Sequence, residues 1–347
     1  MKVVCNRMLA LFGAAIVALP ALSAAQTFKV DKWNIGGEGG TDYLTADPAS
    51  GRVYVSRGTH VMIVDGATGK VLGDIPDTPR MHGIAIVPKS GHGFTTNAGD
   101  STSTMFDVKT GAVIKKIPAG INGLDGIMYD DFTDRVLTIN HSKPGSTVVI
   151  DPNSGTVVGR VTLTGDAPEG GVSDGKGRIF INLEDKNSID VVDTKTWKVV
   201  ATWPIAPCDG PTGIAMDRAT NRIFSGCGNT SVVVDATNGK VVAEIKNGDG
   251  VDALGWDQAQ KLMYIPAGRS GDVTVVHEDS PDKYTVVATV PTFAGAKTIA
   301  VDDVHHIAYE FQPEYGPPPA GATPPAGGRG RGPRGPIVNA WFIRIVH

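Results

Sequence analysis

Residues 211–245 read PTGIAMDRATNRIFSGCGNTSVVVDATNGKVVAEI, and this stretch decides the fold. It divides into four short runs rich in β-branched residues: Gly213 to Met216, Arg222 to Ser225, Ser231 to Val234 and Lys240 to Ile245. Each run is bounded by turn residues, which is the signature of strands. The first two runs are joined through Asp217-Arg-Ala-Thr-Asn and the last two through Asp235-Ala-Thr-Asn-Gly239. In both connections the Asp carboxylate can accept from backbone amides, and in the second Asn238-Gly239 supplies the positive φ of a hairpin. No part of the unit carries a helical period.

Working outward, the second run recurs seven times: GRVYVS at 51, GHGFTT at 91, DRVLTI at 134, GRIFIN at 177, NRIFSG at 221, KLMYIP at 261 and HIAYEF at 306. The copies lie about 40 to 45 residues apart. A second anchor, an apolar run followed by Asp and a turn, recurs at Asp65, Asp107, Asp151, Asp193 and Asp235, with His277 in the same place in the sixth copy. Gly stands four residues later at Gly69, Gly111, Gly155 and Gly239, and Trp197 breaks that column. A lone four-stranded sheet buries neither face and must stack on its neighbours, so this period predicts an all-β, seven-bladed β-propeller. The seventh copy has three strands, from 297–311 and Ala340 to Val346. FKVDKWNI, Phe28 to Ile35, resembles the outer strands KVVATWPI and KVVAEI, so the N-terminal strand is expected to complete the last blade and close the ring.

Lys2 and Arg7, the apolar run Met8 to Leu19 and the small residues Ser23-Ala24-Ala25 read as a signal peptide over 1–25, cleaved after Ala25. The run is too short to span a bilayer. The expected destination is the periplasm or the exterior, and residues 26–347 form one propeller domain. Losing Lys2 and Arg7 takes the net charge from -4 to -6, so nucleic acid is not an expected partner. Pro313 to Pro336 is Pro/Gly/Arg-rich and reads as a disordered loop inserted in the last blade. Cys208 and Cys227 fall at one end of the fifth blade. A disulfide is expected there in an exported chain, the competing reading being a thiolate metal site.

The seven loops entering the innermost strands place Asp42, His82, Asp125, Glu169, Thr212, Asp252 and Lys297 at matching positions. A second column, at the end of each second strand, reads Arg57, Asn97, Asn140, Leu183, Cys227, Ala267 and Gln312. Both columns are expected on one face, the first ringing the mouth of the central channel. Asp42, Arg57, His82, Asn97, Asp125, Asn140, Glu169, Asp252 and Lys297 are therefore the candidate ligand-binding residues. His82, Asp125 and Glu169 are the candidate metal set, for Ca²⁺, Mn²⁺ or Zn²⁺. The competing reading is a ring of solvated groups paired with one another, for instance Asp252 with Lys297.

Repeats ending in Tyr54-Val-Ser-Arg57, Phe94-Thr-Thr-Asn97 and Leu137-Thr-Ile-Asn140, followed by V-x-V-[IV]-D and T-[GN]-G-K-V-V, resemble the YVTN-type β-propeller repeat proteins, including the exported YncE-like group. The resemblance covers about 27 to 312 and 337 to 346. It implies an exported seven-bladed propeller used mainly for binding, with no shared catalytic residues. A more distant resemblance is to seven-bladed lactonases, whose Arg, Glu and His set has no residue-by-residue match here. Two functions follow as expectations. One is a monomeric binding or scaffold protein recognising a small ligand or envelope partner at the channel mouth. The alternative is a metal-assisted hydrolase of the lactonase type built on the ring.

Overall fold

In the computed structural model, which describes residues 27–321 and 334–347, the 211–245 unit folds as strands Ile214–Asp217, Arg222–Ser225, Thr230–Asp235 and Val241–Lys246. They pair antiparallel in chain order. The closing turn works as its residues dictate. Asp235 Oδ1 accepts from the Thr237 amide at 2.8 Å, and Gly239 adopts φ +78° while its amide donates to the Asp235 carbonyl. Trp197, which breaks the Gly column, takes the same left-handed conformation at φ +53°, its amide 2.8 Å from the Asp193 carbonyl. The turn geometry is therefore kept where the glycine is not, at the strain cost of a side chain in that region.

Seven such four-stranded antiparallel sheets form a ring. Among the described residues the one helical element is a 3-10 turn, Glu184–Lys186. Between each pair of neighbouring blades lies one hydrophobic cluster. Phe180 and Ile189 of the fourth blade meet Ile223 and Val232 of the fifth, and Phe224 and Val233 of the fifth meet Met263 and Val276 of the sixth. Each such buried side chain contributes about 1.5–3 kcal/mol. The last interface, where Tyr309 and Phe342 meet Val53 and Val64, joins the seventh blade to the first.

The N-terminal strand Lys29–Asn34 pairs antiparallel with Ile337–Val346, from Lys29 opposite Val346 to Asn34 opposite Trp341. Trp33 stacks on Phe342 with ring centroids 6.1 Å apart. The seventh blade is thus built from both ends of the chain, as its three-strand sequence copy requires.

The Pro/Gly/Arg-rich stretch begins later than its composition implies. Strand Ile307–Tyr315 runs through Pro313, Glu314 and Tyr315, and the Gly316 amide donates to the Pro336 carbonyl at 2.8 Å. Glu314 Oε2 holds this extension by accepting from Trp341 Nε1 at 2.9 Å and Asn339 Nδ2 at 2.8 Å. Residues 322–333 and the signal reading at 1–25 lie outside the described residues. Cys208 and Cys227 form a disulfide, Cα atoms 5.5 Å apart, tying the loop into the fifth blade to the end of its second strand. Among the described residues no helix is long and apolar enough to cross a membrane.

Candidate functional site

The innermost strands converge closely because four of them carry glycine directly after the ring residue. A Cβ on Gly213 would sit 2.3 Å from the Ala253 carbonyl carbon, and one on Gly126 2.5 Å from the Glu169 carbonyl oxygen. Backbone cannot move aside, so Gly83, Gly126, Gly170 and Gly213 set how tightly the channel closes. The ring residues ahead of them are thereby drawn into contact around an open cavity of 590 Å³.

Contacts pass from blade to blade. Lys297 of the seventh blade is ion-paired with Asp252 of the sixth, and its Nζ lies 3.3 Å from Asp42 Oδ1 of the first. His82 Nδ1 of the second blade is 2.6 Å from Asp42 Oδ2 and 3.5 Å from Asp125 Oδ1 of the third. The other oxygen of Asp125 is 3.8 Å from His141 Nε2, which is 3.2 Å from Glu169 Oε1 of the fourth blade. The Tyr43 hydroxyl donates to Glu169 Oε2 at 3.5 Å. Thr212, the neutral member of the column, turns its hydroxyl to the Val251 carbonyl at 3.1 Å.

Crowded carboxylates in a half-buried ring hold protons tightly. Burial and the negative neighbours Asp125 and Asp252 push Glu169 up to about 7, against the pull of His141. Burial likewise raises Asp125, with Asp42 and Asp252 adding to it. Asp42 goes the other way: burial would raise it, but His82 and Lys297 hold it below the usual range. Burial alone would lower the imidazoles, yet Glu169 and Asp125 lift His141 to about 9, and Asp42 and Asp125 raise His82.

Of the sequence candidates, the structure brings Asp42, His82, Asp125, Glu169, Asp252 and Lys297 together at the mouth. It does not bring Arg57, Asn97 and Asn140 there. Arg57 is wholly buried, donating to the carbonyls of Gly36 and Gly37 at 2.9 Å each and lying 4.7 Å over the Phe311 ring. It anchors the Gly36–Gly40 loop, in which Gly39 at φ +91° leaves no room for a Cβ against the Arg57 carbonyl. Asn97 donates to the Thr102 and Thr104 hydroxyls at 3.0 and 2.9 Å. Asn140 Oδ1 accepts from the Thr138 hydroxyl at 2.9 Å inside its own blade. The column that reaches the mouth is one residue further on: Gly58, His141 and Glu184 line the cavity. Successive strand residues face opposite ways, so an error of one position exchanges interior for mouth. His141, missed in the sequence columns, was signalled only by being the imidazole in that shifted column.

Structural comparisons show the fold alone. A seven-bladed ring of this kind aligns with a chain of the Kuenenia stuttgartiensis hydrazine synthase at 16% identity and TM-score 0.69, covering 80% of this chain and 93% of that one. The WD40 repeats of RRP9 align at TM-score 0.76 and 9% identity, covering 92% and 97%. The structure of U3-55K aligns at TM-score 0.74 and 9% identity, covering 91% and 98%. No family model and no curated protein sequence matches the chain.

Two groups of these residues could hold a metal ion. Asp42, His82 and Asp125 form one group of ligand atoms within 4.8 Å of one another, and Asp125, His141 and Glu169 form a second. The sequence set His82, Asp125 and Glu169 is thus split between two clusters that share Asp125. A tetrahedral cation about 2.1 Å from each ligand holds the ligands about 3.4 Å apart. The 3.2 and 3.8 Å separations around His141 bracket that value. His141 Nε2 is a buried atom that meets two carboxylates, Glu169 Oε1 at 3.2 Å and Asp125 Oδ2 at 3.8 Å. Imidazole nitrogens suit Zn²⁺ or Mn²⁺ better than Ca²⁺, which takes oxygen.

Proposed function

We propose that this chain is an exported binding propeller of the YVTN type that holds a divalent transition-metal ion at its channel mouth and, through the ion's open positions, a small anionic ligand. The buried His141 Nε2, set at coordination spacing between Asp125 and Glu169, carries the reading. The disulfide suits an oxidising compartment, and the N-terminal reading and the repeat pattern support export and family. An anionic ligand is supported by the adjoining 510 Å³ groove over Asp252 and Lys297, which Arg269 and Arg334 also line.

The test is thermal unfolding of chelator-stripped protein with Zn²⁺ or Mn²⁺ restored. An ion at 100 times its dissociation constant stabilises by roughly 2.7 kcal/mol. That gain should vanish in His141→Ala. No shift with any metal would sink the reading and leave the ring as mutually paired polar groups. The lactonase-type hydrolase is the second reading, favoured by the Tyr43 hydroxyl and the Lys297 ammonium lining the same cavity. A bound metal supplies a water nucleophile at neutral pH. Metal-dependent lactone turnover, lost on chelation, would select it over plain binding.

A further inference from the structure

We infer that the channel mouth takes two divalent cations, bridged by the carboxylate of Asp125. The inference rests on the cation reading above and extends it from one ion to a pair. Its basis is the way Asp125 is shared. Asp125 Oδ1 faces His82 Nδ1 at 3.5 Å, and Asp125 Oδ2 faces His141 Nε2 at 3.8 Å. The two oxygens of one carboxylate thus point at two imidazoles supplied by different blades. Each imidazole has a terminal carboxylate of its own, Asp42 beside His82 at 2.6 Å and Glu169 beside His141 at 3.2 Å. Every ion would receive the same three donors: one imidazole, one terminal carboxylate and one oxygen of Asp125. Two ions across one carboxylate stand about 3.5–4 Å apart, the usual spacing of paired sites.

The two halves differ in readiness, and this sets an order of filling. Around His141 the donors already stand near coordination spacing, whereas Asp42 and His82 are closed on each other by a hydrogen bond. The His141 side fills first. The His82 side needs its donors to part by about 0.8 Å, the difference from the spacing a tetrahedral ion imposes.

Charge supplies the reason for a second ion. The charged groups lining the mouth are Asp42, Asp125, Glu169, Glu184 and Asp252 against Arg80 and Lys297. An ion displaces the protons that the metal-free imidazoles hold, and with both imidazoles neutral the balance is three negative charges. One dication leaves one negative charge, so the mouth still attracts a cation. A second makes the mouth positive by one charge, and it then favours an oxyanion that spans both ions.

The experiment is isothermal titration of the chelator-stripped full chain with Zn²⁺, with the metal retained after desalting quantified, alongside Mn²⁺ electron paramagnetic resonance. Two Zn²⁺ per chain are expected, the second binding more weakly. Asp42→Asn and Glu169→Gln should each retain one ion, and Asp125→Asn should weaken both sites at least tenfold. The Mn²⁺-loaded wild type should show a spin-coupled signal that Asp42→Asn lacks. His82→Ala is the second variant for the weaker site, and circular dichroism checks that each variant is folded. One ion per wild-type chain, or two ions still bound by folded Asp42→Asn and His82→Ala, would overturn the pair while leaving a single-ion site standing. No ion bound by the wild type would overturn both.

Discussion

Glu310 is wholly buried in the second strand of the seventh blade. Burial pushes it up to about 8, with Asp272 adding to this while Thr292 and Lys32 pull the other way. The folded chain therefore keeps a proton that the unfolded chain releases near 4.5. Stability from this proton is complete below about pH 4.5 and is lost as pH rises toward 8. Between about pH 5 and 7.5 the wild type should lose about 3 kcal/mol from this group. Chemical denaturation across that range should show a flatter profile for Glu310→Gln, and an unchanged slope would assign the pH dependence to other groups. Glu278 is the next such group, its buried carboxyl raised to about 7 by burial and by Asp217. A separate residue-scale prediction concerns the disulfide, which links residues 19 apart. Cys208→Ala/Cys227→Ala should cost about 3 kcal/mol through the freed unfolded chain. Denaturant midpoints of oxidised wild type and the double variant measure it, and equal midpoints would refute it.

At the scale of the element, the innermost strands do two jobs with adjacent residues. The ring residue reaches into the mouth, and the glycine behind it lets the neighbouring strand approach to backbone contact. Gly126→Ala puts a methyl 2.5 Å from the Glu169 carbonyl oxygen. It should therefore act twice, lowering stability by a few kcal/mol through the forced backbone shift and moving Glu169 away from His141. Zn²⁺ affinity measured beside the unfolding midpoint checks this. Retained affinity with unaltered stability would show that the strands have slack here. The second-strand ends show how readily function is misread at this scale. Asn97 and Asn140 look like site residues by type, but both are satisfied inside their blades, and the informative position is the next one. Alternation along a strand is plain in a sequence, whereas the residue at which the strand ends and the chain turns to the mouth is not.

At the scale of the whole molecule, the ring is closed by one strand. Removing residues up to 35 takes away the outer partner of Ile337–Val346, leaving it paired with Ile307–Tyr315 alone, and uncovers Phe342, on which Trp33 stacks. The truncated chain should lose several kcal/mol, because an open ring leaves a sheet edge and an uncovered face. Hydrogen exchange should show the loss first in the seventh blade. Protection there equal to that of the intact chain would mean that the ring does not depend on the N-terminal strand.

The sequence by itself determined the repeat, the number of blades, the Asp-initiated turns, the closing strand and the facing cysteines. All of these are local or periodic: strand period, turn chemistry and a copy number that can be counted. It also brought six ring residues to one column, since equivalent positions in a closed repeat array share one radius and height. Only the tertiary structure decided which of those groups touch. It separated Arg57, Asn97 and Asn140 from the mouth, added His141, and divided the presumed metal set into two clusters about Asp125. Those outcomes depend on strand tilt, on glycine-permitted approach between blades and on side-chain direction at strand ends. These are relations between residues some 40 positions apart, and no local pattern encodes them.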